Sequence, residues 1–531
     1  MPVKDEVAMK SCVKKLKEET SGSSRCSSQC GISGNAEALA KVGEFKRQAE
    51  ELAQKMNEMF ESQFGEIIEK IAMDMEQPKL KKSRHANEYD EDGLKIFVAR
   101  ESLLTELLEI NHIQTIYNVF IALLLVFLMN TALYDFLETG RLIDFSVVSW
   151  AFGNFSSVIQ NWLYMQAYTL AIYPIFTSYA SNQTSWAKIP MSVWSVGYIA
   201  YMLIFLTFPV QGALSDNLPP ASTIILITEQ VRLMMKVHAF VRVNTTKVLK
   251  FAEIEKDDDD ISELKLPGFS QYLYFLFIPT LIYRDNYPMT PYVRWDFVVK
   301  NFLQVLGCIA YTYFMFARFC VPVFQNTGKE KGNIRTLLLS AFSCMLPGVL
   351  VLLVAFFAIL HSWLNAFAEM TRFADRMFYR DWWNSNSFSS YYRMWNVVVH
   401  DWLYAYIYKD FNYLFGRRGR GFAAILVFFI SACFHEYILA VAFRFFYPAL
   451  LFMFGGVGLV FFFVRPKKGS NNPLWNIYLW VSLTMGSGIL MTMYSVEWYA
   501  SQNCTRDFNS WLDFIIPYSF DSTCVVWEWK K

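Results

Sequence analysis

Apolar stretches of about twenty residues recur from Ile116 almost to the C-terminus, and this recurrence limits what the chain can fold into more than any other feature. A stretch of that length crosses the hydrocarbon of a bilayer as a helix, because a helix satisfies its own backbone where no water can. The stretches lie near 115–136, 158–180, 191–209, 221–243, 295–317, 336–361, 421–440, 442–464 and 474–497. They predict an all-α polytopic membrane protein with roughly nine transmembrane helices. Charged residues make up 18% of the 531 and hydrophobic ones 54%, against about 25% charged in soluble domains. The 221–243 stretch carries Glu229, Arg232 and Lys236 and is expected to face protein rather than lipid. A net charge of +1, with no basic stretch interleaved with aromatics in a polar context, excludes a nucleic-acid partner.

The N-terminus has lysines but no apolar core of a signal peptide, so the first span is expected to start insertion. Residues 1–35 are rich in Ser, Lys and Cys and read as a disordered cytosolic tail. Over 36–76 the pattern becomes helical, with Val42, Phe45, Ala49, Leu52, Met56 and Met59 at spacings of three and four, then a one-residue phase shift to Phe60, Phe64, Ile67, Ile71 and Met75. Glu is abundant on the polar face and Lys and Arg do not dominate it, which favours self-association over lying on a membrane surface. Residues 77–100 read as a linker, and 101–531 as the transmembrane catalytic domain.

Short basic loops mark the cytosolic side. Lys409, Arg417, Arg418 and Arg420 precede one span, and Arg465, Lys467 and Lys468 follow the next. With nine spans, a cytosolic N-terminus and a lumenal C-terminal tail follow. The loop 318–335, with Arg318, Lys329, Lys331 and Arg335, opposes that assignment.

His435 lies well inside an apolar stretch, and an ionisable group at membrane depth is functional by default. Burial there is expected to keep it neutral, as a general base must be. The other reading is a structural histidine bonded across helices. Glu436 follows it directly and, on a helix, would face elsewhere. The long segment 362–420 is dense in Trp, Tyr, Asn, Asp and His, more polar than an interfacial aromatic belt requires. In it Asn396 and His400 stand four apart and are expected on one helix face, where an Asn amide could donate to a developing oxyanion. The chain has no Gly-x-Ser-x-Gly, Walker or HExxH motif and no zinc spacing among its nine cysteines, so neither a covalent acyl-enzyme nor a metal is expected.

Two segments resemble known motifs. FYRDWWN at 378–384, comprising Phe378, Tyr379, Asp381, Trp382, Trp383 and Asn384 with Arg380, is similar to the signature of sterol and diacylglycerol acyltransferases. SACFHEY at 431–437 is similar to the helix carrying the catalytic histidine of the membrane-bound O-acyltransferase superfamily. From about Glu37 onward the chain resembles the sterol branch, through VVVHDW at 397–402, ESLLTELLEINHIQTIY at 101–117 and two C-terminal cysteines. Diacylglycerol acyltransferases have Lys where this chain has Asp401. The resemblance implies a reaction tunnel in the endoplasmic reticulum membrane, in which a fatty acyl group passes from acyl-CoA, a substrate and not a cofactor, to cholesterol or a related sterol. It implies His435 as catalytic base with Asn396 beside it. Arg393, Asn396, His400, Tyr408, Arg420, Ser431 and Ser390 are implied as acyl-CoA contacts and His112 as a sterol contact. At Ser390 the family usually has Asn, and at Arg420 often Lys. Diacylglycerol acylation is the alternative; a transporter is disfavoured because no inverted repeat is visible. Cys504 and Cys524, neighbours in a tail expected in an oxidising lumen, are expected to form a disulfide, and the resemblance implies the same.

Deleting residues 36–76 is expected to lower the oligomer mass measured in detergent while sparing part of the activity, because the candidate catalytic residues lie far downstream. An unchanged mass would refute self-association through this segment.

Overall fold

The computed structural model describes residues 95–140, 146–183, 190–254, 266–329, 331–416, 419–464, 466, 472–505 and 515–528, with Glu44, Arg47 and Lys55. The expected self-association helix lies outside the described residues apart from those three, which are helical and exposed. The second compact unit, 87–531, contains every helix discussed below.

Its principal helices are α1 (Asn111–Thr139), α2 (Phe155–Gln183), α3 (Met191–Ser215), α4 (Pro220–Ile254), α5 (Trp295–Phe324), α6 (Met345–Met370), α7 (Phe388–Trp395), α8 (Val397–Leu403), α9 (Arg420–Phe443), α10 (Ala449–Phe463) and α11 (Leu474–Asn503). Among the described residues six, α1, α3, α5, α6, α9 and α11, are long and apolar enough to cross a membrane. The other three expected spans differ for physical reasons. Helices α2 and α4 are as long but interrupted by polar residues, and the 442–464 stretch shortens to α10 because Arg444 turns left-handed (φ 62°) and Pro448 follows. The 336–361 stretch is broken at Cys344, where a shorter helix, Ile334–Ser343, meets α6.

The polar residues of α2 and α4 are used between helices. Trp162 and Gln166 both donate to Glu229 Oε1, at 3.2 and 3.3 Å. Gln230 donates to the carbonyls of Phe205 and Leu206 on α3, at 2.8 and 2.9 Å. Helices α2, α3 and α4 run antiparallel in turn, since Asn161 meets Asp216 and Tyr179 stacks on Trp194, while Tyr198 meets His238 and Phe205 O meets Gln230. Lys236, 1% exposed, reaches the carbonyls of Phe275 and Ile278, while Arg232 donates to Leu276 O at 2.8 Å. These carbonyls end the helix Phe269–Phe277, and the last carbonyls of a helix have no partner within it. The charges in 221–243 therefore complete another helix rather than meet lipid.

Contacts near the helix ends fall into two groups. In one, Asn154 donates to Asp216 O, Arg444 to Asn217, and β1 (Gly332–Asn333) pairs in parallel with β2 (Trp527–Glu528). In the other, Arg242 pairs with Asp410, Lys247 with Asp285, and Arg100 with Asp375. Residues 95–100, expected within a linker, pack here as extended chain. In the 318–335 loop, Arg318 is inside α5, paired with Asp135 at 3.4 Å and lying over the Tyr134 ring, and Lys331 pairs with Glu528 at 2.6 Å. That loop shares a face with the C-terminal segment through the pairing of β1 with β2.

Helices α6 and α11 cross closely at two glycines. A Cβ on Gly488 would lie 2.6 Å from Met345 Cα, and one on Gly348 would lie 2.8 Å from the Ser487 backbone. Gly488→Ala is expected to destabilise the protein by about 1–3 kcal/mol, because the added methyl meets backbone that cannot turn aside. Gly486→Ala, where nothing lies within 4 Å, is the control. Equal melting temperatures for both variants in detergent would refute the close crossing.

Candidate active site

The 378–384 segment is mostly packing. Phe378, Tyr379 and Trp382 are buried, Trp383 is half-buried, and Asp381 and Asn384 are exposed. Trp382, in the turn Trp382–Asn384, sits with its ring 4.6 Å from Trp395, 5.0 Å from Phe356 and 5.7 Å from both Tyr391 and Trp480. Two backbone bonds tie the segment to the α7–α8 junction: Arg380 N donates to Met394 O and Val397 N to Phe378 O, each at 2.9 Å.

That junction is Asn396. Its backbone, at φ −137° and ψ 89°, is not helical, so Asn396 and His400 do not share a helix face as expected. Asn396 instead caps α8. Its Oδ1 accepts from Val399 N at 3.1 Å, a bond that satisfies one of the unpartnered N–H groups of the first turn. The cap orients the carboxamide and leaves Nδ2 without a hydrogen bond among the described residues.

His435 projects from the middle of α9. Its Nδ1 lies 2.7 Å from Ser431 O, and a carbonyl can only accept, so Nδ1 carries the hydrogen of the neutral ring and Nε2 is left with its lone pair. Burial was expected, but the ring is exposed, whereas its neighbours Ala432 and Glu436 are buried. Glu436 turns away as expected, accepting from Leu451 N at 2.9 Å and from Tyr494 Oη at 3.0 Å.

An aromatic bridge brings the two candidates to one region. The Phe454 ring is 5.4 Å from the His435 ring, 4.6 Å from Phe428 and 5.4 Å from Tyr392, which precedes Asn396 by one turn. Small residues on α10 permit this approach. A Cβ on Gly458 would lie 2.8 Å from Tyr392 Oη, and one on Gly455 3.3 Å from Ala432.

His400, one turn into α8, is half-buried, with Nδ1 3.4 Å from Asp401 Oδ1. Its ring stacks toward Tyr404, Tyr404 stacks on half-buried Tyr408 at 5.6 Å, and the Lys409 ammonium lies over Tyr404. This ladder leads to the basic loop before α9. Arg420 opens α9 and Arg393 lies near the end of α7; both are exposed, with no carboxylate in ion-pair reach among the described residues. Ser431 and Ser390 are half-buried, and Ser390 N donates to Ser387 Oγ at 3.2 Å. His112 is not gathered into this cluster. It is exposed in the first turn of α1, which leans on α5 through Tyr117–Gln304 and Phe127–Phe314. Cys504 and Cys524 are joined by a disulfide with Cα atoms 5.4 Å apart.

One buried histidine was given no role from the sequence. His361, 3% exposed in a π turn of α6, has Nδ1 2.7 Å from Tyr379 Oη and 3.3 Å from Asn365 Nδ2. Its sequence signal was the one that selected His435, a histidine at the end of an apolar run.

The profile of the membrane-bound O-acyltransferase family matches residues 145–496, which includes all of α7 to α10. The chain belongs to that family. It is similar to sterol O-acyltransferase 1 of Mus musculus, 48% identical over 435 residues, 81% of this chain and 79% of the relative. It is also similar to sterol O-acyltransferase 2 of Homo sapiens, 44% identical over 428 residues, 80% of each chain. This member is thus an acyltransferase and a multi-pass membrane protein.

Asp401 holds the site to the folded unit through Lys95, 2.9 Å away, with both side chains under a tenth exposed. Burial opposes the Asp401 charge, yet His400 and Lys95 beside it hold the carboxyl below the usual carboxylate range. A depressed carboxylate stabilises the fold at neutral pH, and this contribution is lost as pH falls through its folded value. Asp401→Asn leaves a buried ammonium without a counter-charge and is expected to cost about 3–5 kcal/mol. The double variant Lys95→Met, Asp401→Leu should recover much of the loss. A double variant as unstable as the single one in thermal melts would refute the pair's role.

Proposed function

We propose that this acyltransferase moves a long-chain fatty acyl group from acyl-CoA to the 3-hydroxyl of cholesterol or a related sterol, with His435 as general base. The observation that carries the mechanism is the bond from His435 Nδ1 to Ser431 O, which presents a bare Nε2 toward open space beside Phe454. The sterol O–H gives its proton to Nε2 as its oxygen attacks the thioester carbon. The carbonyl oxygen gains charge, and the free Nδ2–H of Asn396 is the donor suited to it. As the tetrahedral intermediate collapses, the C–S bond breaks and the imidazolium returns its proton to the departing thiolate. No covalent acyl-enzyme is required.

Exposed Arg393 and Arg420 suit the CoA phosphates, because guanidinium pairs with phosphate through two hydrogen bonds. The half-buried His400, Tyr408, Ser390 and Ser431 line the approach from these arginines to the thioester. His112 contacts the sterol entering from the bilayer. Sterol, rather than diacylglycerol, is supported by the names of the relatives and by Asp401. The face bearing the basic loops is cytosolic in the endoplasmic reticulum membrane. The disulfide-bonded face, with the C-terminal tail, is lumenal, since disulfides persist in oxidising compartments. Nine crossings, a tunnel joining the two substrates and self-association through 36–76 complete the reading.

Purified protein in lipid nanodiscs, given labelled oleoyl-CoA with either cholesterol or diacylglycerol, is expected to form cholesteryl ester. His435→Ala should lower the rate about 10²- to 10⁴-fold without lowering the melting temperature. Triacylglycerol as the only product would transfer the assignment to diacylglycerol acylation. Near-wild-type turnover in a folded His435→Ala variant would remove the base.

A further inference from the structure

Helix α8 does not stop at Leu403. It runs through a π turn, Tyr404–Tyr408, into the helix Lys409–Phe415, which ends at Gly416 with φ 64°. The last turn of this run carries Tyr413, Leu414 and Phe415 in succession. Tyr413 is 90% exposed, more than any other large apolar side chain among the described residues, and Leu414 is 71% exposed. Single exposed apolar residues are ordinary, but three in a row at a helix end are costly in water.

Depth along α9 identifies what covers them. The chain turns back so tightly that a Cβ on Gly419 would collide with Phe415 Cβ, and the Phe415 ring meets that of Phe422, in the first turn of α9, at 5.1 Å. At the opposite end of α9, Arg444 donates to Asn217 Oδ1 and Leu218 O. Phe422 precedes Arg444 by 22 residues, a rise of about 33 Å at about 1.5 Å per residue. The hydrocarbon of a bilayer is about 30 Å thick, and about 40–45 Å with both headgroup layers. Phe422 and the turn packed on it therefore lie where hydrocarbon gives way to headgroups. The exposed stripe Phe422, Ile425 and Phe429 continues from there along α9 into the hydrocarbon, so 413–415 forms the upper edge of a lipid-facing surface. Charge agrees with that placement. Lys409 and Arg420 flank the turn, and Asp410, the one carboxylate of its helix, is taken by Arg242 at 3.0 Å.

We propose that residues 413–415 are an interfacial anchor, seated in the phospholipid headgroup layer on the face that bears the basic loops. A tyrosine suits this depth, with its ring against the acyl chains and its hydroxyl among the headgroups. Leu414 reaches the acyl chains beside it. The anchor holds the end of the helical run on which His400, Tyr404 and Tyr408 stand, and so fixes the height of that aromatic ladder relative to the bilayer. It requires only that α9 crosses the membrane, and is independent of which substrate the ladder contacts.

The test places the photoreactive residue p-benzoylphenylalanine at position 413 of the full chain, reconstituted in phosphatidylcholine nanodiscs. Irradiation should add the mass of one phosphatidylcholine to the tryptic peptide carrying position 413. Phe429→p-benzoylphenylalanine, on the lipid-facing stripe, should give the same adduct. Lys250→p-benzoylphenylalanine, exposed and 30 residues beyond Pro220 on α4, stands about 45 Å along that helix and should give little. Amide exchange is the second measurement: Tyr413→Asp with Leu414→Asp should speed exchange across 409–415 and leave the middle of α9 unchanged. Crosslinking decides by itself if that variant does not fold. A position-413 adduct with a second copy of the chain, lipid labelling no stronger than at position 250, or unchanged exchange in the folded double variant overturns the proposal.

Discussion

No water is available at membrane depth, so every polar group carried there has to find a partner within the protein. Much of this architecture answers to that constraint. Glu229, Gln230, Arg232 and Lys236 would each be costly against lipid. They are tolerated because α4 runs between α2, α3 and the helix Phe269–Phe277, whose groups accept or donate to them. Arg318 has the same solution on α5, with Asp135 and the Tyr134 ring on α1.

The candidate site follows from this constraint applied at a helix break. Between α7 and α8 the backbone leaves the helix at Asn396, and α8 then begins with N–H groups that need partners. Asn396 Oδ1 takes one and Phe378 O another. The heptapeptide 378–384 thus acts as a brace for the break, with Trp382 as its buried anchor. Across Phe454 stands His435, whose tautomer is set by a carbonyl of its own helix. Neither candidate depends on a distant ion pair for its orientation; each is held by backbone one turn or less away.

Much was legible beforehand. The apolar stretches of about twenty residues located α1, α3, α5, α6, α9 and α11, since a bilayer demands length and apolarity that the sequence records directly. His435 was singled out because an ionisable group in an apolar run is costly unless it is used, a signal His361 shares. The charge of the 318–335 loop was counted by position, without knowing that Arg318 sits inside a helix and pairs with Asp135. Asn396 was placed on the right segment but in the wrong conformation: a cap and a helix interior differ by the backbone dihedrals of one residue, and both suit Asn.

By itself, then, the sequence determined that this chain spans a membrane repeatedly, that it carries an intramembrane histidine and an aromatic–polar motif shared with acyltransferases, and that its charges are asymmetric between loops. These are properties of local runs, readable wherever spacing and polarity suffice. Only the tertiary structure decided which face His435 presents, that Glu436 and His361 are committed to other partners, and that Lys95 pairs with Asp401. Each of those depends on residues tens or hundreds of positions apart being brought together by helix packing, which no local pattern encodes.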